Sequence, residues 1–529
     1  MEDRQRILSL AQQDRLQFDF PPKSDTAKWS NLSASLLQAC QHVPNDPLAA
    51  RALDNLHIAL FSTLIQHGLR ANAKHRGSPP RRPTPLTGQI RVAKSCLNRS
   101  KKAAKKNPGA PPDEVRANKS IVEALEKAAA DDQTARTTRR HHKLATTNPK
   151  KLADTIWGRS MSSDPPDCAA DDCERFFQDI FRGTEVSTAL PPWLPPQWPS
   201  LPLRPLVITA DNIRRAIQKK SGTQSAPGFD GITYGALGCL PWIPDLLANL
   251  FTKLIAQQTP PEMWRYGLTV LLHKGGTKDL GNFRPITLTP TIAKLFHSAI
   301  SSWLEAALTS SGVIPTHIQK GFLMGVSGAI EHDLVLDATL ADAKQNKKNL
   351  FMVLVDLKNA FGSVPHQRIS WALQRFGAPA WVETYISNLY KGMYTKMFCK
   401  NWSTNFLQVQ RGVLQGDTLS PLLFLLVMQI GLHGLSTTFP NYGYRTAAEQ
   451  PLHFLKCFAD DLTVITQTVN KLQRAVDHFA TIANWLGMEM KPGKCRAFGL
   501  SRGITAASTS TSITKPFSTL PTPPRNSWG

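Results

Sequence analysis

Between residues 350 and 486 the chain alternates two hydrophobic periods. Leu350 to Leu357 (LFMVLVDL) is apolar over a strand's length and broken only by Asp356 near its end. His366 to Phe376 changes to helical spacing, with Ile369, Ala372, Leu373 and Phe376 on one face and Gly377 and Pro379 closing it. Trp381 to Tyr390 repeats that period, and Ser420-Pro421 opens an apolar helix through Leu432. Leu452 to Ile465 reads as a hairpin with Asp460 and Asp461 at its tip, and Val469 to Leu486 is amphipathic again. The order predicts an α+β domain, a small sheet with helices on one side.

Upstream the pattern is looser. Residues 1 to about 70 read as helical, with Leu53, Leu56, Leu60 and Leu64 on one face. Arg70 to Pro85 has too little apolar content to predict fixed structure. A helix is predicted over 112–130, opening at Pro112-Asp113-Glu114. Seven prolines between Pro191 and Pro205, interleaved with Trp193 and Trp198, exclude an interior helix or central strand and predict a linker or wrap. Beyond about Leu500, Ile504 to Gly529 is rich in Ser, Thr and Pro and reads as a disordered tail.

Charge adds a partner class. The net charge is +23, and residues 51–159 hold 23 Lys/Arg against 8 Asp/Glu. An excess of that size suits a polyanion, nucleic acid above all, with a solvated basic tail as the plainer reading. The eight cysteines are scattered and match no zinc-finger spacing, so free thiols in a reducing compartment are expected. Met1 to Phe20 is too polar for a signal peptide, and the longest apolar run, Leu422 to Leu432, is too short to span a bilayer. The chain is expected to be soluble and intracellular, nuclear or cytoplasmic, with no membrane partner.

Asp460 and Asp461 are adjacent carboxylates inside an apolar segment. Like charges repel and burial disfavours the ionised form, so the pair is costly unless a cation sits on it. A solvated turn is the bland alternative. Asp356 changes the balance, because it ends a second buried strand. Carboxylates from adjacent strands suit Mg²⁺, and two ions about 3.5–4 Å apart can activate a hydroxyl and stabilise a leaving pyrophosphate. The reaction class implied is nucleotidyl transfer.

Several motifs then occur in one order. They are Ser225 to Thr233 (SAPGFDGIT), Asn282-Phe283-Arg284-Pro285-Ile286 and Gln319-Lys320-Gly321-Phe322. Val355 to Phe361 (VDLKNAF), Arg411 to Pro421 (RGVLQGDTLSP), Phe458-Ala459-Asp460-Asp461 and Gly487 to Lys494 follow. Over roughly 208–500 the chain resembles the reverse transcriptase domain of non-LTR (LINE-type) retrotransposons. The resemblance implies a right-hand polymerase: fingers over 208–345, a palm with an antiparallel sheet over 346–500, and a thumb largely missing. Residues 1–190 would be a helical, basic and partly disordered N-terminal region, 191–207 a Pro-rich linker and 501–529 a disordered tail.

The resemblance also implies roles. Asp356, Asp460 and Asp461 would hold two Mg²⁺ ions. Phe361 would block a ribose 2′-hydroxyl, with core packing as its other reading. Gln415 and Gly416 would line the nucleotide pocket. Arg284 and Lys274 would hold the triphosphate, though Lys274 also reads as an ordinary exposed lysine. Lys494 would protonate the leaving pyrophosphate, or else is a surface lysine. The implied partners are an RNA template, a DNA primer or target, and dNTPs; the oligomeric state is left open. Gly362 and Lys491 depart from the usual residues. No endonuclease or zinc-finger pattern is recognised; the missing thumb makes a truncated, inactive nucleic-acid-binding remnant the competing expectation, and a group II intron-type reverse transcriptase is a third, disfavoured by the GDTLSP form after Gln415.

Overall fold

The computed structural model describes residues 18–69, 92–99, 101, 116–126, 166–183, 185–194, 196–221, 225–399 and 402–505. The stretch 70–85, for which no fixed structure is expected, and the tail beyond 505 lie outside the described residues. The chain divides into two compact units. The smaller comprises Asn72–Ser163 and Lys274–Thr277. Within it 92–99 and 116–126 are helical, the second inside the expected 112–130, and Lys94 pairs with Glu126 at 2.7 Å.

The larger unit, Met1–Ala71 with Asp164–His273 and Lys278–Gly529, begins with helices α1 (Thr26–Ala39) and α2 (Ala49–Gln66). Leu53, Leu56, Leu60 and Leu64 of α2 form its buried face, as their spacing predicts. Polar groups on α2 fix its seat. Asp54 accepts the backbone N–H of Glu262 and of Met263, both at 2.9 Å, and burial pushes its carboxyl up to about 6 against those two bonds. His57 is fully buried between Trp264 and Asp230. An indole N–H only donates, so Nε2 of His57 accepts it at 3.2 Å, and Nδ1 carries the proton donated to Asp230 at 3.1 Å.

Helix α3 (Ala170–Phe181) leads into the Pro-rich segment, which wraps over later helices. Trp193 meets Trp485 edge-on at 5.4 Å and Trp198 lies 4.8 Å from His433. Backbone bonds Trp198 N–H to Arg375 O and Leu201 N–H to Gly377 O pin it. Prolines suit this role because a wrap needs few ladder donors.

Helices α4 (Ala210–Ser221) and α5 (Ile243–Gln257) precede strands β1 (Tyr266–His273) and β2 (Phe283–Leu288). Helices α6 (Thr291–Ser310) and α7 (Ala329–Gln345) follow, then β3 (Leu350–Val355) and β4 (Leu357–Lys358). Helices α8 (His366–Arg375) and α9 (Ala380–Tyr390) lead to β5 (Tyr394–Phe398) and β6 (Leu407–Gln408). Helix α10 (Ser420–Thr438), the hairpin β7 (Leu455–Phe458) and β8 (Asp461–Thr466), and α11 (Val469–Trp485) come next. β9 (Glu489–Met490), β10 (Arg496–Ser501) and β11 (Ile504–Thr505) close the described chain.

One sheet has the order β2-β1-β5-β6, and a second, wholly antiparallel, has the order β11-β10-β3-β8-β7. A third small pair joins β4 and β9. Strand pairing therefore continues to Thr505, past the end expected at Leu500.

The expectation of helices on one side needs correction. Phe351, Val353 and Val355 enter the main core, while Leu350 and Met352 enter a second cluster with Ile465, Leu500 and Leu336, Leu340 and Ala343 of α7. Both faces of β3 are apolar and, apart from the exposed Leu354, both are covered. Helix α10 is long and apolar enough to cross a membrane by length and composition, but 72% of that stretch is buried inside the protein.

Replacing His57 by Ala leaves Asp230 and the Trp264 N–H buried without their partner. The expected cost is about 2–4 kcal/mol, read from urea unfolding of the full chain. A loss within experimental error would show that this network does not seat α2.

Candidate active site

β3 is the central strand of the five-stranded sheet. Its last pairing is Val355 with Leu462, so Asp356 follows immediately beyond the ladder and Asp461 immediately precedes Leu462 on the neighbour. The chain turns at Asp356. Its N–H points to Cys495 Sγ at 3.4 Å, and its carbonyl accepts the N–H of Lys491 at 2.8 Å. Those contacts divert the backbone into β4, paired with β9.

Phe458 pairs with Asp461 across a two-residue turn, Ala459-Asp460. Ala459 has φ +58°, and Asp460 is not among the positive-φ residues. Positive φ at the first central residue alone is the pattern of a type II′ hairpin turn, a site that favours glycine. Asp460 thus sits half-buried in the turn itself, and Asp461 opens β8.

The carboxylates sense one another. Burial, then Asp461 and Asp356, push the Asp460 carboxyl above the usual range, with Arg284 acting in the opposite sense. Desolvation and Asp356 push Asp461 up as well. Among the described residues no three His, Cys, Asp or Glu side chains converge on one ion-binding point. An all-carboxylate donor set of mutually repelling groups does fit a hard divalent cation, whose charge would offset the repulsion.

Beside the aspartates lies an aromatic floor. Phe361 stacks on Phe424 with ring centroids 4.4 Å apart, and Phe322 meets Phe361 edge-on at 5.8 Å. Such pairs add about 0.5–1.5 kcal/mol beyond burial and hold the ring in place. Gln415 accepts the Thr287 N–H through its carbonyl at 2.6 Å. Gly416 has φ +124°, and a Cβ there would lie 2.2 Å from the Thr287 carbonyl oxygen. Glycine is required for this contact, which docks the loop onto β2.

Asp417 anchors the same loop. Burial alone would raise its pKa, yet His297 at 2.7 Å, the Leu419 N–H at 2.9 Å and Lys294 hold it below the usual value. The other ring nitrogen of His297 lies 2.9 Å from the Tyr385 hydroxyl.

The structure therefore places Asp356, Asp460 and Asp461 at the ends of neighbouring strands, within electrostatic reach of one another and, for Asp460, of Arg284. Phe361, Gln415 and Gly416 are held by the contacts just described. Lys494 is exposed in the turn Pro492–Lys494, next to Cys495 and close in sequence to Lys491, which bonds Asp356. Lys274 lies in the smaller unit. The sequence reading missed Thr287, the His297–Asp417 pair, Cys495 and any role for Gln319. Only Gln319 and Asp417 carried a signal, since both fall inside matched motifs.

The sheet thus brings acids from the end of one strand and from the adjacent hairpin close together, beside a loop whose docking on β2 requires a glycine. The family described as "Reverse transcriptase (RNA-dependent DNA polymerase)" matches residues 272–513. Relatives include the Pol polyproteins from type-1 retrotransposable element R2 of Nasonia vitripennis and Popillia japonica. The first is 30% identical over 52% of this chain and 26% of its own length, and the second 31% over 54% and 38%. The "Probable RNA-directed DNA polymerase from transposon BS" of Drosophila melanogaster is 27% identical over 54% of this chain and 31% of its own length. Residues 272–513 thus match a reverse transcriptase domain, with relatives from retrotransposable elements, and the chain spans well under half the length of these relatives. Among solved structures, apo telomerase from Candida tropicalis, truncated from its C-terminal domain, has a TM-score of 0.32. It is 12% identical over 45% of this chain and 50% of that one, too slight a likeness to bear on function.

The raised proton affinity of Asp460 has a stability consequence. Its ionised form opposes folding at neutral pH, and the penalty vanishes as pH falls through the raised value and the group protonates. In metal-free buffer at neutral pH, Asp460→Asn is expected to raise the melting temperature by roughly 1–3 °C. The gain should disappear in acid. A lowered melting temperature at neutral pH would contradict this.

Proposed function

We propose that this chain is an RNA-directed DNA polymerase. It extends a DNA 3′-hydroxyl along an RNA template with dNTPs, in a palm formed by the five-stranded sheet. The observation that carries the reading is the delivery of Asp356, Asp460 and Asp461 to one sheet edge within the family-matched segment.

Asp356 and Asp460 would hold two Mg²⁺ ions, with Asp461 as the third carboxylate. When bound, such ions lower the pKa of the attacking hydroxyl and offset charge on the leaving pyrophosphate. The remaining chemistry falls to the chain's own groups. Arg284 suits the triphosphate, because its guanidinium makes paired contacts to phosphate oxygens. Phe361 is held flat against Phe424 and cannot easily yield to a ribose 2′-hydroxyl. The Gln415–Gly416 backbone lines the nucleotide pocket. Lys494 is exposed and able to give a proton to pyrophosphate.

Primer extension on an RNA template tests the reading. Magnesium-dependent DNA product is expected and should fall by at least about a thousandfold in Asp460→Asn. Activity indifferent to that change would defeat the assignment.

Phe361→Ala should relax discrimination against ribonucleotides by on the order of a hundredfold. The measurement is the ratio of kcat/KM for dNTP and rNTP. An unchanged ratio would leave Phe361 as core packing only.

A further inference from the structure

The Gln319-Lys320-Gly321-Phe322 motif has no part in the chemistry above. Its backbone runs beside β7, the edge strand of the catalytic hairpin. The Cys457 N–H bonds to Ile318 O at 2.8 Å and the Lys320 N–H to Cys457 O at 3.0 Å. Lys320 is further tied to Glu331 at the start of α7. Gly321 is pressed so close that a Cβ would lie 2.2 Å from the Ala459 nitrogen.

Gln319 itself is fully buried. Its Oε1 accepts the Ala459 N–H at 2.8 Å and the Gly321 N–H at 2.9 Å. Its Nε2 donates to the Ala459 carbonyl at 3.2 Å and to Cys457 Sγ at 3.3 Å. All four hydrogen-bonding positions of the amide are used, three of them on residues 457 and 459. Ala459 is the residue with φ +58°, a conformation alanine adopts reluctantly. Strained backbone persists only where its surroundings over-determine it. Here one side chain grips both backbone groups of the strained residue, immediately before Asp460.

We propose that Gln319 is a positioning residue for catalysis: it holds the Ala459 turn in its left-handed conformation and so sets the direction in which Asp460 is presented. The proposal rests on the polymerase reading for its catalytic consequence, but the clamp itself does not. A sheet-edge residue with a purely structural role would need only the backbone bonds of Ile318 and Lys320. The bonds to the Ala459 peptide groups are additional to those.

The test uses the full chain as wild type, Gln319→Ala, Ala459→Gly and the double variant. Amide hydrogen exchange in a peptide covering 455–462 is expected to speed up about tenfold or more in Gln319→Ala, because the Ala459 N–H loses its acceptor. The kcat for dNTP incorporation should fall about 10–100-fold with KM changed less than about threefold, as a displaced carboxylate harms chemistry more than substrate binding. Glycine pays no penalty at positive φ, so the double variant should recover much of that kcat. If Gln319→Ala does not fold, the double variant is expected to fold and carry the same comparison. A failure of the double variant to recover either folding or kcat overturns the proposal. So does exchange in 455–462 equal to wild type. Wild-type chain that incorporates nothing, while exchange still responds to Gln319→Ala, would sink the polymerase reading and leave the clamp standing. Incorporation lost in Asp460→Asn but untouched in Gln319→Ala would sink the clamp's catalytic role alone.

Discussion

Mutual repulsion among Asp356, Asp460 and Asp461 is the constraint around which the larger unit is arranged. Two of these acids have raised proton affinity, each in part because of Asp356. Left to flexible segments, three like charges would separate. Here the backbone leaves them little choice. The Val355–Leu462 pairing delivers Asp356 and Asp461 from neighbouring strands, and a two-residue turn delivers Asp460. Core clusters on both faces hold β3 and β8, so relaxing the repulsion would mean breaking apolar packing.

The four-stranded sheet supplies the second half of the site through backbone contacts. Thr287 of β2 donates its N–H to the Gln415 carbonyl and lies against Gly416 through its own carbonyl. Its hydroxyl belongs to a buried chain with Thr269 and Thr395, each link 2.7 Å. That chain crosses β2, β1 and β5, so the strand on which the loop docks is tied by side chains as well as by its ladder to two further strands. Arg284 lies three residues earlier on the same strand, which is how its charge reaches Asp460. The Gln415–Gly416 loop and the carboxylates are therefore registered to each other through β2.

The larger unit also draws on residues well upstream of the family-matched segment. Helix α2 is locked through Asp54 and His57 onto residues 230 and 262–264, and the Pro-rich wrap closes over Phe376, His433 and Trp485. The tryptophans there serve as anchors, because each offers a large apolar face and the backbone beside it offers bonds.

Much of this was legible in the chain. The apolar runs over 350–357, 366–376, 381–390 and 469–486 became strands and helices within a few residues of their expected bounds, because burial enforces those periods. The hairpin was readable too, but not which of its acids occupies the turn: that depends on a positive φ at an alanine, which sequence does not advertise. The unbroken apolar run of β3 made burial on both faces legible, but not that α7 supplies the second cover, since a strand buried on both faces looks the same whatever covers it.

What the sequence by itself determined is the identity of the acids, their order along the chain and the class of chemistry such a set can support. Those are properties of residue type and of motif order. Only the tertiary structure decided that Gln319 grips the turn before Asp460, that Thr287 backs Gly416 and that Cys495 sits under Asp356. Each is a contact between segments more than a hundred residues apart. Hydrogen bonds and close approaches of that kind follow from how packed elements meet, and no local spacing records them.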